Sequence, residues 1–217
     1  LGAGWCGTLI LKQPIASQSQ KIKDLICSEL VLSCDPTNNQ GRLSIDSATL
    51  IGRGAPVGNS NPSGTLARHA QTFYYFNEIN AFTVNGTTFT PMSFQIKIMN
   101  GARPVGVDTG SLGDFRTYAL GLPYSVELKM TVLHESAAQA IQVLQGTAQS
   151  TAFVIGWGTV STNGYLKFTV NGQIGKSPDV YVNGVKCIEF NVKGVYVSGS
   201  STQSLTVVGG DAIDRNW

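Results

Sequence analysis

Asn-Gly dipeptides punctuate the chain, among them Asn85-Gly86, Asn163-Gly164, Asn171-Gly172 and Asn183-Gly184. Asn and Gly both tolerate positive φ, which two-residue hairpin turns require. They sit between β-prone runs, so each is expected to be a tight turn between strands. The runs alternate as half-buried strands do. Phe94, Ile96 and Ile98 share one side and Gln95 and Lys97 the other. Val126, Leu128, Met130 and Val132 alternate with Glu127, Lys129 and Thr131. In the run after Gly184, Lys186, Ile188, Phe190 and Val192 are expected to supply the buried face, and Cys187, Glu189, Asn191 and Lys193 the other. Strands at hairpin spacing predict a mainly β protein, an antiparallel β-sandwich or partial barrel.

One segment breaks the pattern. "HESAAQAIQVLQG" has Ser136 at an N-cap position and Gln139 three residues on, as a capping box requires. Ala137, Ile141 and Leu144 form one stripe, and Gly146 is placed to end the helix. The reading is a helix over about 136–145 that flanks the sandwich.

The first 70 residues read as an N-terminal arm, short strands and a long loop that complete the domain. Residues 71–210 form the sandwich core, and 211–217 a C-terminal arm. The stretch from Arg53 to Arg68 is dense in Gly, Pro, Ser and Asn, and a second long loop covers Arg103 to Arg116. Structureless loops of this length are uncommon in compact domains and are commonly functional. The strand "RLSIDSATLIG" alternates weakly, which suits an edge or interface strand.

Charged residues make up 13% of the 217-residue chain, against roughly 25% in ordinary soluble domains. Such a surface suits burial against copies of itself, or a neutral secreted β domain. The net charge is +2 and no basic tract is present, so nothing predicts tight nucleic-acid binding. No apolar run reaches the length of a membrane span, and none reads as a secretory leader. Cys6, Cys27, Cys34 and Cys187 make no metal-ligand spacing with His69 and His134. Cys27 and Cys34 flank "SELVLS"; on one strand they stand too far apart to bridge, so buried free thiols are expected, as in an intracellular protein.

Catalytic constellations are scarce. His134-Glu135 pairs a base with a carboxylate, but strand neighbours point apart, and a solvated strand end is the stronger reading. Asp108-Thr109-Gly110 matches one aspartic-protease triplet, with no second triplet to complete the dyad. Gly-rich "GAGWCG" lacks a strand-turn-helix setting. Trp157 is expected in the core or at an interface; a sugar-stacking role is the weaker reading. No enzyme, cofactor or metal is expected.

The order of pieces carries a resemblance. "GWCGT" comes first, then "IGRGAPVGNSNPSG" and "AFTVNGTTFTPMSFQIKIMNGARPV". "RTYALGLPYSVELKMTVLHE" follows, with the helix, "FVIGWG" and "YLKFTVNGQIGKSPDVYVNGVKCIEFNVKG". This order is similar to the tail tube proteins of long-tailed bacteriophages and related tailed viruses, best from Phe73 to Val208. The resemblance implies a β-sandwich with one helix, long inter-subunit loops and terminal arms. It implies homohexameric rings stacked into a tube of the virion tail, assembled in the host cytoplasm. The tube would enclose the tape-measure protein, join tail-end proteins and later conduct double-stranded DNA.

On this sequence, Gln95, Lys97, Glu127, Lys129 and Thr131 would face the channel. Arg53, Arg68, Arg103, Asp108, Asp114 and Arg116 would lie in connectors between rings, and Leu1 to Pro14 and Asp211 to Trp217 would be arms. Lumens of the family are acidic, so either other residues line the channel here or Lys97 and Lys129 pair with Glu127 and its neighbours. The competing readings are a fimbrial subunit that polymerises by strand donation, and a carbohydrate-binding sandwich using Trp5, Trp157 or Trp217.

Overall fold

The computed structural model describes residues 7–11, 19–59, 73–106, 117–120, 124–135, 151–159, 164–175, 177–195 and 204–210. The fold is mainly β, with fourteen strands among the described residues. Every pairing with a defined register is antiparallel. The chain divides into two compact units. The first comprises Leu1–Leu30, Ser47–Gln71 and Met99–Tyr124; the second comprises Val31–Asp46, Thr72–Ile98 and Ser125–Trp217.

In the first unit, β1 (Gly7–Leu11) pairs with β2 (Ser19–Cys34). The long β3 (Ser44–Asn59) also pairs with β2. β7 (Ala102–Val105) pairs with β8 (Thr117–Leu120). Asn100 ties the turn before β7 in place: its Nδ2 donates to the Cys27 carbonyl at 2.5 Å, and its Oδ1 accepts from the Ala102 amide at 2.8 Å. The expected loop from Arg53 is therefore strand as far as Asn59, because pairing overrides the weak local β preference of "RGAPVGN". Arg103 likewise stands on a strand, opposite Ala119.

The second unit holds β4 (Ile79–Val84), β5 (Thr87–Thr88), β6 (Pro91–Met99) and β9 (Ser125–Leu133). β10 (Thr151–Trp157), β11 (Tyr165–Ile174), β12 (Asp179–Val182), β13 (Val185–Gly194) and β14 (Leu205–Gly210) complete it. Its strand order is β6-β9-β13-β11-β10-β4-β5, an open sheet, with β12 on β13 and β14 on β11. β11 changes partner along one edge. Tyr165 to Val170 pair with β14, and Gly172 to Ile174 pair with β13. The sheet folds over at this corner into a sandwich. Although β4 and β6 share no ladder, Phe82 and Phe94 meet with ring centroids 6.5 Å apart.

At the corner, Gly172 faces Gly194. A Cβ on Gly172 would lie 2.5 Å from the Lys193 carbonyl oxygen and 2.6 Å from Val192 Cγ1. Asn171-Gly172 is thus mid-strand rather than a turn: the glycine is there for close backbone approach. The other dipeptides behave as expected where described. Asn85 and Gly86 have φ of 49° and 79°, Asn183 and Gly184 have 50° and 79°, and Gly164 has 82°.

The core fills the sandwich. Phe94, Ile96, Val126, Leu128, Met130, Val132, Ile188, Phe190 and Val192 are buried as the alternation predicts, whereas Lys186 is exposed and Cys187 buried. Trp157, 2% exposed, sits against Tyr74, Phe94 and Phe168 at centroid distances of 5.6, 5.9 and 6.3 Å. Its Nε1 donates to the Tyr75 carbonyl at 2.7 Å, so its one polar atom is satisfied. Cys27, Cys34 and Cys187 are free thiols. Burial, with the Asp35 charge beside it, pushes the Cys34 thiol up to about 11 and keeps it protonated through neutral pH. The expected helix over 136–145 lies outside the described residues.

Candidate functional site

The outer face of β6, β9, β13 and the end of β11 is polar because each strand turns its apolar alternates inward. Gln95, Glu127, Lys129, Gln173 and Lys193 are exposed there, and Lys97, Glu189 and Asn191 are partly buried. With Leu128, Ile174, Gly175 and Val192 at its floor and rim, most of this face outlines a concavity of about 480 Å³.

Register sets the charge pattern. Glu127 stands opposite Lys193, Lys129 opposite Asn191, and Thr131 opposite Glu189. On the far side of β13, Lys193 faces Gln173. Lys129 Nζ reaches diagonally to Glu189 Oε2 at 3.0 Å, and Asn191 Nδ2 donates to Glu189 Oε1 at 3.1 Å. One carboxylate thus serves two strands. Beyond β6, Gln95 Nε2 donates to Asp46 Oδ2 at 3.3 Å, while Asp46 Oδ1 accepts from Ser33 Oγ at 2.6 Å and Ser44 Oγ at 3.3 Å. Among the described residues, three lysines (97, 129, 193) stand on this face with the carboxylates of Glu127 and Glu189, and Asp46 and Asp35 border it beside Lys129. Exposed pairs of this kind contribute only about 0–1 kcal/mol each. Their weight lies in the field they leave, which is short-ranged and of mixed sign.

Of the residues expected to face a channel, Gln95, Lys97, Glu127 and Lys129 therefore come together. Thr131 shares their side of β9 but is buried, at 6% exposed. Glu189, Asn191, Lys193 and Gln173 belong with them; β13 alternation offered the first three, whereas Gln173 was hidden by the turn reading of Asn171-Gly172. Of the expected connector residues, Arg103 is exposed on β7. Arg53 lies on β3, whereas Arg68, Asp108, Asp114 and Arg116 lie outside the described residues, as do both expected arms except Gly7–Leu11.

Glu135 accepts from Thr90 Oγ1, and the His134 amide donates to the Lys186 carbonyl at 3.2 Å, so the pair caps the end of β9. At the same end Lys186 Nζ meets Asp179 Oδ2 at 2.8 Å, and this contact holds the Asp179 carboxyl below its usual range. Among the described residues no group of three or more His, Cys, Asp or Glu is placed to hold a metal ion. Trp157 is committed to the core and offers no face for a sugar.

Fold and face together define an antiparallel β-sandwich with an open sheet and a polar outer face of mixed charge. No protein-family model matches the chain, and no curated protein matches it.

Proposed function

We propose that this chain is a structural virion subunit that forms stacked, hexameric rings of a tail tube, through which viral DNA passes. The observation that carries the reading is the polar face of β6, β9 and β13. Its lysines stand beside carboxylates, as Lys129 does with Glu189 and as Lys193 does opposite Glu127. A surface meant to let a polyanion slide must offer no unpaired row of cations, since phosphate contacts to Lys are what hold DNA. The open sheet also leaves strand edges for a neighbouring copy to extend. The order of sequence pieces points the same way.

Electron microscopy of the purified protein tests the reading. Stacked rings around an open channel are expected; a monomer that stays monomeric at high concentration would sink it. The mixed charge gives a second test. Glu127→Gln together with Glu189→Gln removes both carboxylates that stand among the three lysines on β6, β9 and β13. In assembled tubes this variant is expected to bind double-stranded DNA at low salt, by about tenfold or more, with binding lost as salt rises. Equal DNA binding by variant and parent tubes would count against a channel role for this face.

A further inference from the structure

Asparagine followed by glycine is a pairing that can modify itself, and the chain carries it at 85, 100, 163, 171 and 183. The glycine amide nitrogen attacks the asparagine side-chain carbonyl carbon. A C–N bond forms, the side-chain nitrogen leaves as ammonia, and a succinimide remains. Water then opens this ring at either carbonyl, giving aspartate or isoaspartate. Glycine favours the attack because it sets no Cβ beside the nitrogen and lets the backbone turn. The asparagine side chain must be free to swing, the glycine amide must lie outside a ladder, and the backbone must open to bring them together.

The fold meets these conditions unequally. Asn100 Nδ2 donates to the Cys27 carbonyl at 2.5 Å and its Oδ1 accepts from the Ala102 amide at 2.8 Å, so the side chain is held at both ends. Asn171 lies inside β11: its amide donates to the Ser204 carbonyl at 3.0 Å, and its carbonyl accepts from the Val195 amide at 2.8 Å. Gly172 beside it is buried between Thr151 and Gly194. Asn85-Gly86 is an exposed turn, but the Asn85 amide donates to the Ala152 carbonyl at 2.8 Å. Buried Val84 and Phe89 flank that turn, and the Phe89 amide donates to the Phe82 carbonyl at 3.0 Å. Its tip therefore opens only with part of the core.

Asn183-Gly184 differs. Both residues are exposed, and Val182 pairs with Val185 to close a two-residue loop that leaves them outside the ladder. A Cβ on Gly184 would meet nothing within 4 Å, so the space around the amide is open. Opening disturbs little: β12 has four residues, Val182 is only partly buried and Val185 is 44% exposed. Lys186 and Asp179 pair across the strands at 2.8 Å, an exposed ion pair that adds little.

We infer that Asn183 is a self-modification site, converting in the folded protein ahead of Asn85, Asn100 and Asn171, and that its isoaspartate form releases β12 from β13. Isoaspartate carries the chain through the former side-chain carbon and so adds one methylene to the backbone. A two-residue turn has no slack for it, and the register from Asp179–Ile188 to Val182–Val185 depends on that turn.

The test holds the full chain in mildly alkaline buffer, with and without urea, and digests samples with trypsin. Asn183 is then the one asparagine in peptide 177–186, and Asn171 the one in 168–176. Mass spectrometry reads the exchange of ammonia for water. In the folded protein Asn183 is expected to convert at least about tenfold faster than Asn100 and Asn171, which react only from opened states; tenfold needs about 1.4 kcal/mol of opening free energy. In urea the sites are expected to converge, since each is then the same motif in an open chain. Asn85, Asn100 or Asn171 keeping pace with Asn183 in the folded protein, or a gap that persists in urea, overturns the site. Hydrogen exchange on the isoaspartate fraction reads the second half, with Asn183→Asp as the control that adds charge without the methylene. Faster exchange of the β12 amides is expected in the isoaspartate form alone. Equal protection in the isoaspartate form, or equal loss in Asn183→Asp, overturns the release of β12.

Discussion

Trp157→Ala is expected to lower the stability of the sandwich by about 4 kcal/mol, the cost of removing a large buried aromatic from a packed core. For a chain of this size that corresponds to a fall in Tm of roughly 8–16 °C. The indole lies on β10, meets Phe94 on β6, a strand with which β10 shares no ladder, and meets Phe168 on the neighbouring β11 edge-on. Its neighbours are held by their own ladders and cannot collapse into the gap, which keeps the cavity cost high. Trp157→Phe separates packing from hydrogen bonding. The ring contacts mostly survive, and the bond to the Tyr75 carbonyl is lost. That carbonyl still accepts from the Glu78 amide at 3.0 Å, so it is not orphaned. A loss of about 2 kcal/mol is expected for this variant. Urea denaturation followed by far-ultraviolet circular dichroism reads both. An alanine variant within 1 kcal/mol of the parent would show that Trp157 does not anchor the core.

Gly172→Ala is expected to cost about 3 kcal/mol, at the upper end for overpacking, and Gly172→Val to prevent the corner from closing. The added Cβ meets a backbone carbonyl at 2.5 Å, and a carbonyl in a ladder cannot swing aside as a side chain can. Gly194 opposite is nearly as confined, with Val126 Cβ at 3.0 Å from its own added Cβ, so the clash cannot be relieved from that side. The control is Gly184→Ala. There a Cβ meets nothing within 4 Å, and only the φ of 79° resists it. That substitution should cost about 1–2 kcal/mol. If Gly184→Ala proves the more damaging of the two, backbone conformation and not close approach governs these glycines. The same denaturation series decides the order.

These two glycines also mark where sequence is readable. Gly184 and Gly86 follow Asn in hairpins, and their roles are local: two residues and the runs beside them are enough to predict them. Gly172 follows Asn too, but its role depends on Lys193 lying alongside, which no window around residue 172 contains. The buried sides of β6, β9 and β13 were legible for the local reason, since a period of two needs only the strand itself. The pairing of Lys129 with Glu189 was not, because it needs the register between β9 and β13. β3 was read as loop from Arg53 because Gly and Pro depress strand preference; pairing with β2 extends it to Asn59. The contact of Arg42 with the Phe73 ring was missed outright. Arg42 opens the weakly alternating "RLSIDSATLIG", Phe73 lies well outside it, and only the fold brings them together.

The hydrogen bond from Trp157 to Tyr75 spans 82 residues of chain. A ribosome working at 5–20 residues per second leaves Tyr75 without that partner for about 4–16 s. During this interval Tyr74 and Phe82 have emerged, and β10, which pairs with β4 and carries Trp157, has not. Unpaired apolar strands are the species most prone to join their counterparts on neighbouring nascent chains. The order of synthesis thus sets a risk of premature association. Slow production at low temperature and shielding by a holdase chaperone would both relieve it.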